Sequence, residues 1–406
     1  MEARNLYTRI WQELAADKEM IFLAGPRQTG KTTLARLISA GFSNTLYWNW
    51  DIPADKARLL DNPTFFEEVA RKDNSNPFIV FDEIHKYRDW KNYLKGVYDG
   101  YHEQYRFLVT GSGRLDMYQK GGDSLAGRYL LFHLWPFTIA ELAQANRSIE
   151  DFLRDPLHLT MERSAELQDM WSRMEAVSGF PEPFLTNRHV SYRRWSQTYA
   201  GQSIREDIRD LTDVRSVANM EMLYALLPTR VGSPLSVNSL AEALHSSYNA
   251  VRSWLDIFER FFLVFSISPW TERVTRAIQK ERKYYLWDVP RIPDPGARFE
   301  NMVAIELWRA VTCWNDRGFG TFSLHFVRNK EKEEVDFLVA NEHRPLFLVE
   351  VKLAENRPSK TLLKFQRMLS IPVIQLSRER DDFRLLSNGS LPLLIAPAPQ
   401  WLSGLP

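Results

Sequence analysis

A chain of 406 residues is too long for one hydrophobic core, so about two to four domains are expected. The hydrophobic fraction of 44% and the charged fraction of 25% are those of a folded globular protein and argue against long disordered segments. A net charge of +1 excludes a chain that is basic throughout, but it allows a local basic patch. The single cysteine, Cys313, excludes an internal disulfide, and the sequence has neither a membrane-length apolar run nor a signal peptide. We therefore expect a soluble, cytoplasmic protein.

Residues 1–142 alternate short apolar runs with helical stretches, which is the rhythm of a parallel α/β sheet. A helix is predicted over Lys31–Ala40, directly after a glycine-rich turn. The predicted strands of this part are Met20–Ala24, Thr45–Trp50, Pro77–Phe81, Tyr105–Thr110 and Leu130–Leu134.

The rest of the chain divides by its pattern into three further domains. Residues 143–215 have mostly helical spacing and form a predicted helical lid region. Residues 216–292 read as a winged helix, in which three helices precede a two-stranded wing. The predicted elements are Ala218–Leu227, a short helix through Leu244 with Ser236 as its N-cap, Tyr248–Arg260, Phe262–Ile267 and Lys283–Trp287. Residues 293–406 follow a proline-rich linker as a small α/β domain; its predicted elements are Ala297–Val311, Leu324–Arg328, Glu334–Ala340, Leu346–Lys352, a helix and one more short strand.

The glycine-rich turn lies between a predicted strand and a predicted helix, which is the context of a phosphate-binding P-loop. Its backbone N–H groups and the helix N-terminus favour bound phosphate. Lys31 is expected to reach the terminal phosphates of ATP, and Thr32 to bind Mg²⁺. The predicted nucleotide-binding residues of this segment are Gly25, Pro26, Arg27, Gln28, Thr29, Gly30, Lys31, Thr32 and Thr33.

Two adjacent carboxylates, Asp82 and Glu83, end a later apolar strand. We expect Asp82 to hold the hydrated Mg²⁺, and Glu83 to orient and deprotonate the attacking water. The next strand ends near Thr110 and Ser112, and a hydroxyl at that tip is a candidate sensor of the γ-phosphate. The alternative interpretation of these two hydroxyl residues is that they only form a turn.

These features together resemble the AAA-type ATPase family of bacteria and archaea, in which the ATPase core precedes a winged helix and a restriction-endonuclease-like domain. The segments that carry the resemblance are 25–32, 82–83, 110–112, 124–128, 179–181 and 335–337. The resemblance implies a homo-oligomer, for which a hexamer is one form, with Arg128 as the arginine finger of a neighbouring subunit. The alternatives are that Arg128 only forms a salt bridge, or that Arg27 is the interface residue.

The predicted strands Glu334–Ala340 and Leu346–Lys352 place acidic residues across from each other. If the hairpin is symmetric about His343, Asp336 lies opposite Glu350 with their Cβ atoms roughly 5 Å apart. Asp336 followed by Glu350 and Lys352 resembles the PD-(D/E)xK nuclease superfamily. The resemblance implies that Asp336 and Glu350 bind Mg²⁺ with Glu300 as an auxiliary ligand, and that Lys352 orients the hydrolytic water. Ordinary surface residues on an inert nuclease fold are the alternative, so nuclease activity is left open.

A local excess of basic side chains marks the winged-helix region as a DNA-binding candidate. The candidate DNA contacts are Tyr248, Asn249, Arg252, Arg273, Arg276, Lys280 and Lys283. We therefore expect an oligomeric Mg-ATPase that loads, remodels or moves along DNA. The alternative is a regulatory ATPase switch that acts on a protein partner and carries an inert nuclease-like scaffold.

Overall fold

The computed structural model describes residues 4–111, 125–144, 146–159, 165–208, 217–271, 281–355, 357–379 and 383–406. They form two compact units. The N-terminal unit comprises Met1–Trp135 with Arg260–Phe262, and the C-terminal unit comprises Pro136–Glu259 with Leu263–Pro406. Within the described ranges, no helix is both long and apolar enough to cross a membrane.

The N-terminal unit is built on a sheet of five described strands, all parallel, in the order β2-β3-β4-β1-β5. Every residue of β1 and of β3 is buried, because helices cover both faces of a parallel sheet. Strand β4 lies between the strand that leads into the P-loop and the strand that carries the two carboxylates. The strands are β1 Met20–Ala24, β2 Thr45–Asn49, β3 Phe78–Asp82, β4 Arg106–Thr110 and β5 Leu130–His133.

In the described part of this unit, four α-helices pack around the sheet, and an aromatic cluster that includes Trp48, Phe66 and Phe81 fills one side of it. Helix α2 begins at Lys31, directly after the P-loop, as predicted. The helices described here are α1 Asn5–Asp17, α2 Lys31–Ser39, α3 Pro53–Asp61 and α4 Trp90–Tyr101, with short 3₁₀ turns at Phe65–Glu68 and Ile84–Lys86. The parallel α/β sheet predicted for this part is confirmed by the strand order and pairing.

Helices dominate the first half of the C-terminal unit. Ser236 caps its helix as predicted, with its hydroxyl accepting a hydrogen bond from the backbone N–H of Ser239. The described helices of the whole C-terminal unit are α5 Ile139–Leu142, α6 Ile149–Arg154, α7 Ala165–Val177, α8 Pro181–Thr186, α9 His189–Gln202, α10 Val217–Leu226, α11 Val237–Ala243, α12 Tyr248–Arg260, α13 Pro295–Asp316, α14 Lys360–Leu369 and α15 Ala398–Leu402. Short helical turns lie at Ser203–Ile208, Leu227–Thr229 and Val289–Arg291.

The second half of this unit is organised by a sheet of eight described strands in the order β12-β13-β11-β10-β9-β8-β6-β7. The predicted wing is its β6–β7 pair, which is antiparallel as expected, and β6 continues in parallel pairing with β8. The sheet therefore runs across the predicted domain limit near residue 292. The strands are β6 Val264–Pro269, β7 Lys283–Leu286, β8 Phe322–Arg328, β9 Glu334–Asn341, β10 Arg344–Lys352, β11 Val373–Ser377, β12 Arg384–Asn388 and β13 Leu391–Pro397.

The β9–β10 hairpin has the register that the sequence predicted. Its turn pairs Asn341 with Arg344, and a bulge after Pro345 then shifts the pairing by one residue. Beyond the bulge, Val349 pairs with Phe337, so the next step of the ladder places Glu350 across from Asp336. The end of the domain differs from the prediction, because β11, β12 and β13 follow α14 where one short strand was expected.

Candidate functional site

The P-loop joins β1 to α2 in a conformation that its glycines permit. Gly25 has a φ of +144°, and a Cβ atom at this position would lie 2.2 Å from the carbonyl oxygen of Leu134. Gly30 has a φ of +93°, which is also rarely adopted by residues with a side chain. The loop backbone therefore approaches the segment after β5 at a distance that any larger residue would prevent.

Lys31 lies within this loop rather than in solvent. Its ammonium group donates hydrogen bonds to the carbonyl oxygens of Gly25, at 3.0 Å, and Pro26, at 2.7 Å. The hydroxyl of Thr29 also donates to the carbonyl oxygen of Pro26, at 2.9 Å. The structure thus places a buried cation among the backbone groups that surround phosphate in a P-loop.

Asp82 is fully buried at the end of β3, and hydroxyl and amide groups surround its carboxylate. One oxygen, Oδ2, accepts hydrogen bonds from the Thr32 hydroxyl at 2.8 Å, from the Asn49 amide at 3.1 Å and from the Tyr47 hydroxyl. The other oxygen accepts from the Thr110 hydroxyl on β4. Burial, together with the hydrogen bond to Asp82, raises the pKa of Tyr47 to about 12, so this phenol stays a donor at neutral pH.

These residues fit the Mg²⁺ and phosphate site implied by the motif. The hydroxyl of Thr32 and the carboxylate of Asp82 are oxygen donors of the type that Mg²⁺ prefers, and they already lie within hydrogen-bonding distance. The ammonium of Lys31, held by the carbonyl oxygens of Gly25 and Pro26, supplies the positive charge that a bound phosphate requires. The hydroxyl of Thr110 is bonded to Asp82 in this arrangement, and its predicted role as a phosphate sensor stays a prediction.

Glu83 follows Asp82 with a positive φ of 59°, and its side chain lies close to those of Lys86 and His85. Its Oε2 atom is 3.3 Å from the ammonium of Lys86 and 3.7 Å from Nε2 of His85. The same ammonium is 2.7 Å from Oδ2 of Asp51. Burial alone would lower the pKa of Lys86, but the two carboxylates raise it, so the ammonium that contacts Glu83 is charged. We infer that Lys86 sets the position of the Glu83 carboxylate.

Arg128 forms a bidentate ion pair with Asp99 on α4, at 2.7 Å and 3.1 Å. This is the salt bridge that the sequence left as the alternative to an arginine finger. Both side chains are partly exposed, so the pair adds little to stability and can be exchanged for another anion. The finger role of Arg128 stays a prediction, and so does the interface role of Arg27. Ser112 and Ser124 lie outside the described residues.

Sequence reasoning missed three residues that support this site. Arg4 is buried and donates from its two terminal nitrogens to the carbonyl oxygens of Thr29 and Trp135, both at 2.7 Å. No local pattern distinguishes one arginine before a helix, so the sequence carries no signal for this clamp. Tyr47 and Asn49 could have been found from strand order, because parallel pairing places Asn49 beside Asp82.

A carboxylate cluster lies in the C-terminal unit, and its composition differs from the prediction. The ammonium of Lys283 is fully buried, 3.0 Å from Oε1 of Glu300 and 2.6 Å from Oε1 of Glu334. The Tyr285 hydroxyl donates to the same Glu300 oxygen at 2.8 Å. Burial alone would lower the pKa of Lys283, but these carboxylates and Asp336 raise it. Burial also raises the pKa of Glu300, while Lys283 acts in the opposite direction.

The other predicted members of this cluster also meet. Oε1 of Glu350 is 2.6 Å from the ammonium of Lys352, and Oδ2 of Asp336 accepts a hydrogen bond from the backbone N–H of Val351 at 2.8 Å. Burial and the charge of Asp336 raise the pKa of Glu350. In the described part of the chain, no group of three or more His, Cys, Asp or Glu side chains has the spacing of a metal site. The assignment of Mg²⁺ to Asp336, Glu350 and Glu300 together stays a prediction.

The structure corrects one of the predicted DNA contacts. Lys283 has no exposed surface and is ion-paired on two sides, so it cannot reach a DNA phosphate. Tyr248, Asn249 and Arg252 are exposed at the start of α12, as a contact helix requires. Three further predicted contacts lie outside the described residues; they are Arg273, Arg276 and Lys280.

Three family models match separate segments of the chain. Residues 17–143 match the family model of an AAA domain. Residues 168–290 and 295–389 match two domains of unknown function, DUF8612 and DUF4143. The AAA match and the geometry of the loop together support an AAA-type P-loop ATPase domain in the N-terminal unit.

Two relatives match most of the chain, and both are named as uncharacterized proteins. A protein of Mycobacterium tuberculosis is 24% identical over 341 residues, which cover 80% of this chain and 68% of the relative. A protein of Methanocaldococcus jannaschii is 22% identical over 357 residues, which cover 85% and 77% of the two chains. Among solved structures, a Walker-type ATPase of Pyrococcus abyssi is similar with a TM-score of 0.42 and 14% identity, covering 72% of this chain and 95% of that one.

Proposed function

We propose that this chain hydrolyses Mg-ATP at the P-loop of its N-terminal unit. The observation that carries the proposal is the contact between Thr32 and Asp82, with Lys31 inside the loop and Glu83 next to Asp82. These are the groups that phosphoryl transfer to water requires: a phosphate cradle, a metal site and a base. The AAA match over residues 17–143 supports the same activity.

Each of these side chains has a separate role in hydrolysis. Lys31 exchanges its contacts with the loop carbonyls for contacts with the terminal phosphates of ATP, and Thr32 and Asp82 would hold Mg²⁺. When bound, Mg²⁺ would neutralise part of the negative charge of the phosphates. Glu83 accepts a proton from the water whose oxygen bonds to the γ-phosphorus, while the bond from that phosphorus to the β–γ bridging oxygen breaks and ADP leaves.

The proposal includes assembly of the chain into a homo-oligomer, with Arg128 completing a neighbouring active site. A guanidinium that stabilises charge in the transition state contributes on the order of a thousandfold in rate. The exposed ion pair with Asp99 keeps Arg128 at the surface, where a second subunit can compete for it. A hexamer is one form that this assembly can take.

DNA is the proposed target of the ATPase cycle. The side chains that support this are Tyr248, Asn249 and Arg252, which are exposed together at the start of α12. The beginning of the second helix of a helix-turn-helix is where contacts to bases and phosphates concentrate. Phosphate contacts by arginine supply sequence-independent affinity, so the expected ligand is a DNA structure rather than one sequence.

The test is the ATPase rate with and without single-stranded, duplex and branched DNA. We expect stimulation by at least one of these DNAs, and loss of both basal and stimulated turnover in Lys31→Ala. Lys72→Ala removes an exposed lysine from the same unit and should leave both rates unchanged. Turnover that none of the three DNAs increases would remove DNA as the target.

A second function has one observation in its favour. The carboxylates of the nuclease-like site are already paired with the ammonium groups of Lys283 and Lys352, which is compatible with an inert scaffold. The chain would then be a regulatory ATPase that acts on a protein partner. Cleavage of labelled DNA in Mn²⁺, lost in both Asp336→Ala and Lys352→Ala, would exclude the scaffold and establish a nuclease.

A further inference from the structure

Strand β2 supplies two hydrogen-bond donors to the carboxylate of Asp82. Residues two apart in a strand point to the same face, and the Tyr47 hydroxyl and the Asn49 amide both donate to Oδ2 of Asp82, the amide at 3.1 Å. Trp48, between them, belongs to the aromatic core of the unit. The backbone N–H of Asp51 donates to Oδ1 of Asn49 at 2.8 Å, so the amide nitrogen is the end that faces Asp82.

Helix α2 reaches the same oxygen along two routes. The Thr32 hydroxyl donates to Oδ2 of Asp82 directly, at 2.8 Å. Arg36 lies four residues later, on the same side of the helix, and its Cζ atom is 4.9 Å from the centroid of the Tyr47 ring. A cation beside a phenol favours negative charge on the phenol oxygen, so Arg36 makes the Tyr47 hydroxyl a stronger donor. Arg36 therefore acts on Asp82 through Tyr47.

The donors around Asp82 hold its carboxylate without cancelling its charge. They are neutral hydroxyl and amide groups, which belong to Thr32, Tyr47, Asn49 and Thr110. A buried carboxylate needs such donors, because an oxygen without them keeps the full cost of its lost hydration. A lysine or arginine in direct contact would compensate the negative charge, whereas neutral donors leave that charge for a divalent cation.

We propose that Tyr47 is a positioning residue for Asp82, the assigned Mg²⁺ ligand, and that Arg36 strengthens its effect. The inference rests on the proposed hydrolysis of Mg-ATP and names the residue that sets how tightly the ATP site holds its metal. The expected effect is on the affinity for Mg²⁺ rather than for nucleotide alone. The reason is that the Tyr47 hydroxyl contacts the metal ligand, whereas Lys31 and the loop backbone are the groups assigned to the phosphates.

Nucleotide binding to the full chain, followed by the fluorescence of the slowly hydrolysed analogue mant-ATPγS, tests the proposal. The affinity is measured in EDTA and over a series of Mg²⁺ concentrations. Because outer hydrogen bonds to a metal ligand change metal affinity by about 10–100-fold, we expect Tyr47→Phe to raise the half-saturating Mg²⁺ concentration about tenfold and to change the affinity in EDTA by less than about threefold. Tyr93→Phe removes a hydroxyl that donates to the carbonyl oxygen of Pro63 and should change neither quantity.

The contribution of Arg36 is measured in both backgrounds. Arg36→Gln in the parent should raise the half-saturating Mg²⁺ concentration about two- to threefold, since it removes the charge beside the ring. The same substitution in Tyr47→Phe should have no further effect, because the hydroxyl through which Arg36 acts is gone. ATP hydrolysis should show the same division, with a higher Mg²⁺ requirement in Tyr47→Phe and a rate at saturating Mg²⁺ within about threefold of the parent.

Two results would overturn the proposal. The first is an unchanged Mg²⁺ requirement in Tyr47→Phe, or a parent whose affinity for the analogue does not depend on Mg²⁺. The second is an equal loss of affinity in EDTA and in Mg²⁺, which would make Tyr47 a structural residue of β2. If Tyr47→Phe fails to fold, an unchanged Mg²⁺ requirement in Arg36→Gln counts against the proposal in its place. Failure of the proposed function is distinct, since the parent would then hydrolyse no ATP at any Mg²⁺ concentration, whatever its affinity for the analogue.

Discussion

Gly25 has a backbone conformation that residues with a side chain rarely adopt, with a φ of +144°. Its hydrogen atoms also leave room for the carbonyl oxygen of Leu134, which a Cβ atom would meet at 2.2 Å. The conformation and the close approach are both part of the phosphate-binding loop. Strain at such a position costs on the order of 1–3 kcal/mol when a larger residue is forced into it.

We predict that Gly25→Ala abolishes ATP binding and lowers the thermal midpoint, since the loop must move away from Leu134 to accept the methyl group. Gly96→Ala is the matched control, because nothing lies within 4 Å of its added Cβ in helix α4. There, alanine should stabilise the protein by about 0.5–1 kcal/mol. Nucleotide titration and thermal unfolding measure both effects, and normal ATP binding by Gly25→Ala would contradict the loop geometry.

Glu306 is a buried carboxyl group whose pH dependence can be predicted. Its Oε1 atom accepts a hydrogen bond from the backbone N–H of Ile139 at 2.7 Å. Burial raises the pKa of Glu306 to about 8, although Arg309 acts in the opposite direction. The folded chain therefore keeps this proton at pH values where the unfolded chain, with an ordinary carboxyl pKa of 4.5, has lost it. Stability falls as pH rises through that window.

We expect Glu306→Gln to remove this loss, because glutamine keeps the acceptor for Ile139 and carries no charge. Relative to the parent, the variant should gain stability between pH 5.5 and pH 8, by on the order of a few kcal/mol. Urea midpoints at the two pH values measure the gain. Glu242→Gln changes an exposed carboxylate in α11 and should not alter the slope. A parental slope in Glu306→Gln would show that its proton is not retained.

At the scale of elements, the segment that carries Arg128 is attached to helix α4 through Asp99. If Arg128 acts in a neighbouring subunit, Arg128→Ala should bind ATP normally and lose turnover by on the order of a thousandfold. Mixing it with Lys31→Ala should restore part of the rate, because one subunit then supplies the P-loop and the other supplies the finger. Asp99→Ala keeps the guanidinium and should retain activity. No restored rate on mixing would leave Arg128 as a surface salt bridge.

The first residues of helix α12 are exposed to solvent, so we expect substitutions there to weaken DNA binding. Arg252→Ala should weaken duplex binding about fivefold or more and reduce the dependence of affinity on salt, regardless of base sequence. Arg344→Ala removes an exposed arginine from the β9–β10 turn and is the control. Fluorescence anisotropy at two salt concentrations measures both quantities. Equal affinities for the two variants would contradict the assignment of α12 as the contact helix.

The sequence predicted an element correctly where the signal for that element lies within its own residues. Strand β1 and helix α12 have the predicted limits, because the run of buried residues and the helical spacing are local signals. The position of Glu350 across from Asp336 was also predictable. A hairpin that is symmetric about His343 pairs these two residues, and the observed tight turn followed by a bulge leads to the same register. Local pattern and tertiary structure agree in these places.

The burial of Lys283 could not be read from the sequence, because its cause is not local. A lysine in a basic run is normally exposed, and its partners Glu300 and Glu334 belong to other elements. The Arg4 clamp on the P-loop was unpredictable for the same reason, as it depends on the distant carbonyl of Trp135. Strands β12 and β13 were missed because their pairing, rather than a distinct pattern, defines them.

At the scale of the whole molecule, the chain joins a P-loop unit to a second unit that holds the candidate DNA-binding helix and the carboxylate cluster. The four predicted domains stay a prediction, although the β6–β7 pair shares a sheet with the strands after residue 322. The shared sheet predicts that residues 216–292 will not fold separately from residues 293–406. The proposed ATP hydrolysis is nevertheless independent of these limits, because the residues assigned to it belong to the N-terminal unit.

The most direct test of that claim is the rate of ATP hydrolysis by Glu83→Gln, measured together with ATP binding. We predict that the variant binds Mg-ATP within a few-fold of the parent and hydrolyses it about a hundredfold more slowly or worse, because the base is lost and the phosphate site is kept. Glu103→Gln, an exposed carboxylate of the same unit, should hydrolyse ATP at the parental rate. Hydrolysis by Glu83→Gln at the parental rate would contradict the account.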